Sequence, residues 1–506
     1  MQLSQFYRQQ GLVDQERLKQ KNILISGSTV GISNLLVLLD QVGFGHGTGI
    51  ITIMKPKQQP SSPFFDLHYP NVKTWDQLEK ASEGRICVYD KLVRNPTFDY
   101  HLSVNSNQCV SADLYSYFSG PRARLTRSQI PDHIEGNHII NQAISVISAS
   151  AMIHQMLTDL CLIAKAKISD AWITVTCRIE STEIEEASNY ITGLNGQLLD
   201  FTPTSDGLAL LARYRIREDI NLNPYKFLNR EMETPQPNHL LSEDIGLIDW
   251  NDLSHAMNTS WNIEDVKLLF LGAGALGSWS IPLFADKLLT GSIEIVDGDD
   301  EIELHNLNRQ VLYTSDDIGK PKADVAKERI GRLNPNVTVQ SFSEYLNPGH
   351  VSPLESDIQF DELDFPASNL SQIIKDSDIY FSCLDNMLAR KVLSDAATMY
   401  DKPMINGATE GFTGIVEQLG NNDGCMVCRY GRAAATSTEV ISCTEEGVRP
   451  TASIVTSSAW TGAMMAVLGM VHLSPHCDLN KFRYSLDEGF ISSKLVGKPP
   501  WFNECM

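Results

Sequence analysis

An apolar run, Leu268 to Leu271, leads straight into three glycines, Gly272, Gly274 and Gly277, spaced G-x-G-x-x-G. A short apolar run stopped by glycine reads as a buried parallel strand. The glycines let the backbone approach a phosphate, and the helix that starts there offers free N–H groups and a positive dipole end. A second strand, Ile293 to Val296, ends on Asp297, twenty residues after the last glycine. A carboxylate at that place accepts hydrogen bonds from a ribose. Taken alone, this spacing favours a nicotinamide dehydrogenase, and taken alone it is a weak signal.

The residues beyond that strand point elsewhere. First comes N-L-N-R-Q, carrying Asn306, Arg309 and Gln310. Lys322 lies in GKPKAD, thirteen residues after Arg309, and Asp385 ends the apolar segment DIYFSCLDN. Phosphoryl or adenylyl transfer needs cations to neutralise a triphosphate and a carboxylate to hold magnesium. One Arg, one Lys and one Asp on loops above a parallel sheet supply that set. A dehydrogenase has no need of it.

The order strand, glycine turn, helix, TG turn, strand occurs a second time, about 240 residues upstream. Asn22 to Ser26 is the first strand, SNLLVLLDQVG the helix, and Ile50 to Met54 the second strand, with Gly27 matching Gly272 and Thr48-Gly49 matching Thr290-Gly291. The chain thus carries an internal duplication. The first copy has lost its chemistry: Thr29 and Ile32 stand where the second has Gly274 and Gly277, and about Lys55 stands where it has Asp297. A branched residue at the third glycine position crowds helix against strand. The strand RICVY, 85 to 89, runs to Asp90 much as a later strand of the second copy runs to Asp385. Residues 1 to about 20 read as polar helix, 138 to 164 as helix, 171 to 179 and 208 to 216 as strands, and 183 to 193 as helix. The proline-containing stretch 231 to 243 suits a linker. The expected architecture is α/β, with two Rossmann-like domains, 1–240 inactive and 241–506 active, each built on a doubly wound, mostly parallel sheet.

With 41 basic against 62 acidic residues, a formal charge of −21, the chain is unsuited to nucleic acid or an anionic membrane and compatible with a basic protein partner. The start, MQLSQFYRQQ, lacks the apolar core of an export signal. Ile454 to Leu473 is apolar but carries Thr456, Ser457, Ser458, Thr461, Gly462 and Gly469, so it reads as a buried helix rich in small residues rather than a membrane span. Ten cysteines in 506 residues make no dense disulfide framework, which points to a reducing cytoplasm.

On these motifs the chain resembles the ThiF/MoeB-type adenylating enzymes, which include the E1 activators of ubiquitin-like proteins; the resemblance is strong over 245–475 and weak over 1–165. It implies binding of ATP and Mg2+, adenylation of a protein's C-terminal carboxylate, and capture as a thioester. It makes Asp297 the ribose acid, Asn306, Arg309 and Gln310 the phosphate-facing signature, Lys322 the triphosphate lysine, and Asp385 the magnesium ligand. MINGATEGFTGIVEQ, 404 to 418, is similar to the family's strand and loop beside the acyl site. FYRQQGLVDQERLKQ is similar to its opening segment, with Arg8 at the arginine that reaches the ATP of the other subunit. The second half has no such arginine before its first strand, so the inactive half is expected to supply Arg8 to the active one. Fused inactive and active halves resemble the E1 proteins of bacterial ubiquitin-like conjugation operons, either as a monomeric pseudo-dimer or as a homodimer.

The cysteines divide in three. Cys425 and Cys428 form a C-x-x-C that the family completes into a zinc site; here Cys505 aligns, Phe502 stands where another cysteine would be, and His472, His476 or Cys477 is left as fourth ligand. The competing reading is a pair of loop thiols that bind nothing. Cys443, in TSTEVISCTEEGVRP, is similar to the crossover-loop cysteine that attacks the adenylate, although Glu445 and Glu446 would raise its pKa. Cys383, inside an apolar strand, reads as a small core residue. The leading function is therefore an E1-like enzyme acting on a ubiquitin-like protein, with an E2-like carrier as a further partner. The alternatives are a peptide-modifying adenylase of the microcin or thiazole-peptide type, and an ATP-binding scaffold without turnover.

Overall fold

A computed structural model describes residues 5–104, 138–163, 265–351, 369–420 and 453–472, apart from 7, 8, 10, 11, 28, 91–97, 287, 289 and 300. It also describes the strands at 172–179, 197–204, 207–215, 243–246, 481–485 and 489–495, and residues 424–427 and 435. The expected helix at 183–193 and the boundary at 240/241 lie outside these residues.

The elements in chain order begin with α1 (Gln15–Leu18), β1 (Ile23–Gly27), α2 (Thr29–Val42), β2 (Ile51–Met54), α3 (Pro63–His68), α4 (Trp75–Ala81), β3 (Ile86–Tyr89), β4 (Tyr100–Val104) and α5 (His138–Asp159). Next come β5 (Trp172–Ile179), β6 (Gln197–Thr204), β7 (Gly207–Arg215), β8 (Glu243–Gly246), β9 (Val266–Leu271), α6 (Gly277–Ala285), β10 (Gly291–Val296), α7 (Lys322–Leu333) and β11 (Thr338–Phe342). The chain continues with α8 (Leu370–Asp376), β12 (Ile379–Ser382), α9 (Met387–Met399), β13 (Met404–Glu410), β14 (Thr413–Leu419), α10 (Val455–His472), β15 (Lys481–Ser485) and β16 (Gly489–Leu495). The polar helix expected near the N-terminus is one turn, α1, capped by the Asp14 carboxylate on the Arg17 N–H.

Two sheets repeat one plan. The first is four parallel strands in the order β3-β2-β1-β4. The second has nine, β11-β10-β9-β12-β13-β14-β15-β16-β8; it is parallel from β11 to β13 and antiparallel from there to β8. In both, the strand that leads into the glycine turn pairs on one side with the next strand and on the other with a later one. The matching of order extends the sequence duplication to the sheet itself: β4 answers to β12, and β3 to β11. This corrects the pairing of Asp90 with Asp385. Asp90 follows β3, on the far side of β2 from the crevice beside β1, whereas Asp385 follows β12, next to β9. A third sheet, β5-β7-β6, is antiparallel.

Between the first two sheets lie α2, α5, α6 and α10. α2 packs on α5, α5 on α10, and α10 on α6, β13 and β14. One continuous apolar core runs through them, from Ile23, Leu36 and Ile147 to Trp279, Met465 and Phe270. Small residues on α10 permit this. A side chain at Gly462 would place its Cβ 2.8 Å from the Leu276 carbonyl oxygen, and one at Gly469 would sit 2.7 Å from the Phe381 ring. The glycines and hydroxyls of this segment thus serve helix packing, and no described helix is long and apolar enough to cross a membrane.

Candidate active site

β9 is the switch point of the second sheet: the chain leaves it toward β10 on one side and meets β12 on the other. A crevice opens at the carboxyl ends of the two strands, the usual place for a ligand in such sheets. Gly272 sits there with φ +97°, and any side chain would bring its Cβ to 2.6 Å from the Cys383 carbonyl oxygen. Both the left-handed backbone and the approach to β12 demand glycine. A Cβ at Gly277 would overlap the Gly272 carbonyl, so this turn cannot tighten onto α6 with anything larger. α6 starts with no side-chain cap; the Ser278 N–H bonds back to the Gly274 carbonyl at 3.0 Å and the Trp279 N–H to the Leu276 carbonyl at 3.1 Å, so backbone of the turn itself closes the helix start.

Asp297, just past β10, clamps the turn. Its carboxylate accepts the Ala273 N–H at 2.7 Å and the Asp299 N–H at 3.0 Å. Burial pushes its pKa above the ordinary range; Lys322 opposes the shift and the Asp299 charge adds to it. Tyr313 ties the parts together from below, its buried hydroxyl lying 2.8 Å from the Ala273 carbonyl and 3.2 Å from that of Lys322.

The N-L-N-R-Q segment begins in a one-turn 3-10 helix, Leu304–Asn306, and is buried throughout. Asn306 accepts the Glu303 N–H at 2.9 Å. Arg309, 5% exposed, donates to the His305 carbonyl at 2.8 Å and to Asn308 Oδ1 at 3.1 Å, while its own carbonyl accepts from the Trp279 indole at 3.0 Å. Gln310 lies beside Gly274, its amide nitrogen 3.6 Å from where a Cβ would stand. Two buried amide atoms of this segment, Gln310 Oε1 and Asn308 Nδ2, have no hydrogen-bond partner among the described residues. Such atoms cost roughly 1–3 kcal/mol each unless a ligand or water meets them.

Lys322 opens α7, is 6% exposed, and is paired through Nζ with Asp299. Asp385 is exposed on the loop after β12, beyond the end of the strand that was expected to carry it. That loop is held by Arg390, which donates to the Leu384 carbonyl and, at 2.7 Å, to Asn406 Oδ1; Asn406 in turn donates to Glu417 at 3.0 Å. Asp297, Asn306, Arg309, Gln310 and Lys322 thus gather at one glycine turn, with Asp385 across the crevice. Sequence reasoning passed over Asp299, Tyr313 and Arg390; the acidic run D-G-D-D after β10 is the one signal that pointed to Asp299.

Arg8, Cys428, Cys443 and Cys505 lie outside the described residues. Cys425 is buried, and among the described residues no group of three or more His, Cys, Asp or Glu could hold a metal ion. Cys383 is a core thiol: burial pushes its pKa up to about 12, so it carries no thiolate near neutral pH.

The donor set fits a polyphosphate better than a nicotinamide dinucleotide: two buried cations, Arg309 and Lys322, and the Asn308 Nδ2 donor, which has no partner among the described residues, belong to the segments around the turn. Residues 253–491 match the profile described as the ThiF family. The chain is 32% identical over 212 residues to the adenylyltransferase and sulfurtransferase UBA4 of Kluyveromyces lactis, covering 41% of this chain and 43% of that one. It is 28% identical over 214 residues to the sulfur carrier protein adenylyltransferase of Thermus thermophilus, covering 41% and 70%. A crystal structure of E. coli MccB with ATP aligns at 15% identity and a TM-score of 0.36, over 73% of this chain and 91% of that one. The chain spans about half the length of the first curated relatives it matches. Across residues 253–491, then, the chain carries a ThiF-family domain.

Proposed function

We propose that the chain is an ATP-dependent adenylyltransferase that activates the C-terminal carboxylate of a small ubiquitin-like or sulfur-carrier-type protein. The observation that carries this reading is the meeting of buried Arg309 and Lys322 at the Gly272 turn, with the Asn308 Nδ2 donor beside Arg309 left without a partner among the described residues. The relatives named for adenylyl transfer support it. Asp297 would take the ribose hydroxyls, and the start of α6 would face the phosphates. Arg309 and Lys322 would neutralise charge on the leaving pyrophosphate, an electrostatic role for which single donors are worth about 10²–10³ in rate. Asp385, exposed at the same crevice, is the carboxylate available to magnesium, which would shield the triphosphate when bound. The partner's carboxylate oxygen attacks the α-phosphorus, the bond to the bridging oxygen breaks, and pyrophosphate leaves. In a second step the Cys443 thiolate would attack the acyl carbon, forming a thioester and expelling AMP.

The first half fits the part of an inactive domain, with residues 1–240 serving the site in 241–506. Gln9 donates to the Val42 carbonyl at 2.7 Å, and Leu12 lies 3.5 Å from the Cβ position of Gly411 in the β13–β14 turn. Gln9 and Leu12, on the C-terminal side of Arg8, thus touch the end of α2 and the β13–β14 turn, which supports a role for Arg8 in the site of the second half. A structural zinc held by Cys425, Cys428 and Cys505 is a separate part of the proposal.

ATP–pyrophosphate exchange with candidate small proteins tests the reading. Exchange should depend on the partner's free C-terminus and fall about 10²–10³-fold in Lys322→Ala or Arg309→Ala. Cys443→Ala should keep exchange and lose a thiol-sensitive adduct. Exchange that survives both cation variants, or that no partner supports, overturns adenylation and leaves the ATP-binding scaffold.

A further inference from the structure

Tyr345 is an aromatic residue that the adenylation chemistry does not use. It is 69% exposed, on the loop after β11, yet it is anchored rather than loose. Its hydroxyl lies 3.2 Å from Asp299 Oδ1, and a Cβ at Gly298 would run into its ring. On its C-terminal side Leu346 packs against the core that holds Val351, and the Asn347 N–H donates to His350 Nδ1 at 3.2 Å. On its N-terminal side the Phe342 carbonyl accepts the Asp297 N–H at 3.0 Å. The backbone is thus fixed at both ends of a short loop, while the side chain is largely exposed and its ring lies against Gly298.

The strand order gives this place a meaning. β9, β10 and β11 are neighbours, and their carboxyl ends carry the Gly272 turn, Asp297 and Tyr345 in that sequence across the sheet. Neighbouring strands are about 4.8 Å apart. A nucleotide with phosphates at the first strand end and ribose at the second extends its base over the third. An exposed aromatic ring there meets the base's π-face, a contact that tolerates any base. We propose that Tyr345 stacks on the nucleobase of the bound nucleotide, through the lodging of its ring over Gly298 beside the ribose acid Asp297. This rests on the reading of the glycine turn as a nucleotide site.

Calorimetric titration of the full chain with a non-hydrolysable ATP analogue and with inorganic tripolyphosphate tests it, in wild type, Tyr345→Ala and Tyr345→Phe. The alanine variant should bind the analogue about tenfold more weakly or worse, and the phenylalanine variant within about threefold of wild type. Tripolyphosphate, which has no base, should bind all three alike. If Tyr345→Ala binds the analogue as wild type does, stacking is refuted while the nucleotide reading stands. If both variants lose the analogue and tripolyphosphate in parallel, the hydroxyl acts through Asp299 on Lys322, and stacking is again refuted. If wild type binds neither ligand, the nucleotide reading itself falls and takes this proposal with it.

Discussion

The two glycine turns of this chain begin alike and end differently. In the first, α2 starts two residues after Gly27, and the space over its N-terminus is filled by the chain's own 58–61 segment. Thr29 Oγ1 lies 3.5 Å from the Gln58 carbonyl, and Ser33 Oγ accepts the Ser61 N–H at 3.2 Å. In the second, α6 starts five residues after Gly272, no side chain caps it, its Ser278 N–H bonds to the Gly274 carbonyl of the turn, and the side-chain amide oxygen of Gln310 has no partner among the described residues. Past the second strand, Lys55 of the first copy pairs outward with Asp76 at 2.7 Å, whereas Asp297 turns inward onto the glycine turn. Identical strand order therefore does not decide whether a switch-point crevice is open. The loops decide it, by supplying or withholding polar atoms of their own.

The largest test concerns where each copy keeps its buried charge. The first copy's buried carboxylate is Asp40, near the far end of α2. It meets His46 at 2.9 Å, His68 at 2.8 Å, Tyr69 at 2.9 Å and Arg85 at 2.7 Å. Burial by itself would raise its pKa, but the bonds from His46 and His68 and the Arg85 charge hold it well below the usual range. This cluster joins α2, α3 and the start of β3 and touches no part of the glycine turn, so its role is stability. Asp40→Ala should cost about 3 kcal/mol, since it strips the partner from a buried ion pair. Asp297→Asn should cost less, about 1 kcal/mol, since one of the two N–H groups on its carboxylate loses its acceptor, while weakening nucleotide binding. Thermal or urea unfolding beside ligand titration reads both. A stable Asp40→Ala protein that has lost nucleotide would reverse the contrast.

Much of this was legible in the residues. The duplicated glycine turn, the acid after β10 and the N-L-N-R-Q segment each lie within one local stretch, where spacing alone fixes the geometry. β4 was not legible: Tyr100–Val104 mixes aromatic, histidine and serine with two aliphatics, and among the described residues it pairs with β1 alone. With β4 hidden, Asp90 stood in the place that belongs to a residue after β4. Tyr313 follows R-Q with nothing in the sequence to mark it, although its hydroxyl is what locks the turn to α7. Contacts between the halves left no periodic trace, because partners such as Gln41 and Leu307 are 266 residues apart in the chain.

The seam between the halves should respond to acid. His154 of α5 is buried, hydrogen-bonded to Thr456 of α10, and edge-on to Phe412 at 5.0 Å. Burial lowers its pKa from 6.5 to about 3, so it stays neutral in the folded chain. Below pH 6.5 the unfolded chain takes up a proton that the folded chain does not. Stability therefore falls as pH drops from 6.5 toward 3, by about 1.4 kcal/mol per unit. Between about pH 7 and pH 5 this amounts to about 2 kcal/mol, and His154→Gln should flatten that part of the profile. An unchanged profile in the variant would mean that acid acts on some other group and that the seam is not the weak point.

The smallest effect bears most directly on why an occluded copy is kept. Gln41, one residue along α2 from Asp40, is buried and donates to the Leu307 carbonyl at 3.3 Å, inside N-L-N-R-Q. Phe64 of α3 packs its ring against that of Trp279, with centroids 4.7 Å apart, and the same indole holds the Arg309 carbonyl. Arg329 of α7 reaches back to the Leu67 carbonyl at 3.3 Å. The first copy thus braces the backbone that carries Arg309 and Gln310. One such hydrogen bond is worth about 1 kcal/mol, so Gln41→Leu should slow exchange roughly fivefold through the position of Arg309. Melting temperature should hardly move, because the leucine also removes Gln41 Oε1, a buried acceptor with no partner among the described residues, and that gain offsets the lost bond. Equal exchange in variant and wild type would make the two halves neighbours only. A loss confined to turnover, with stability kept, would make the occluded copy a working wall of the open one.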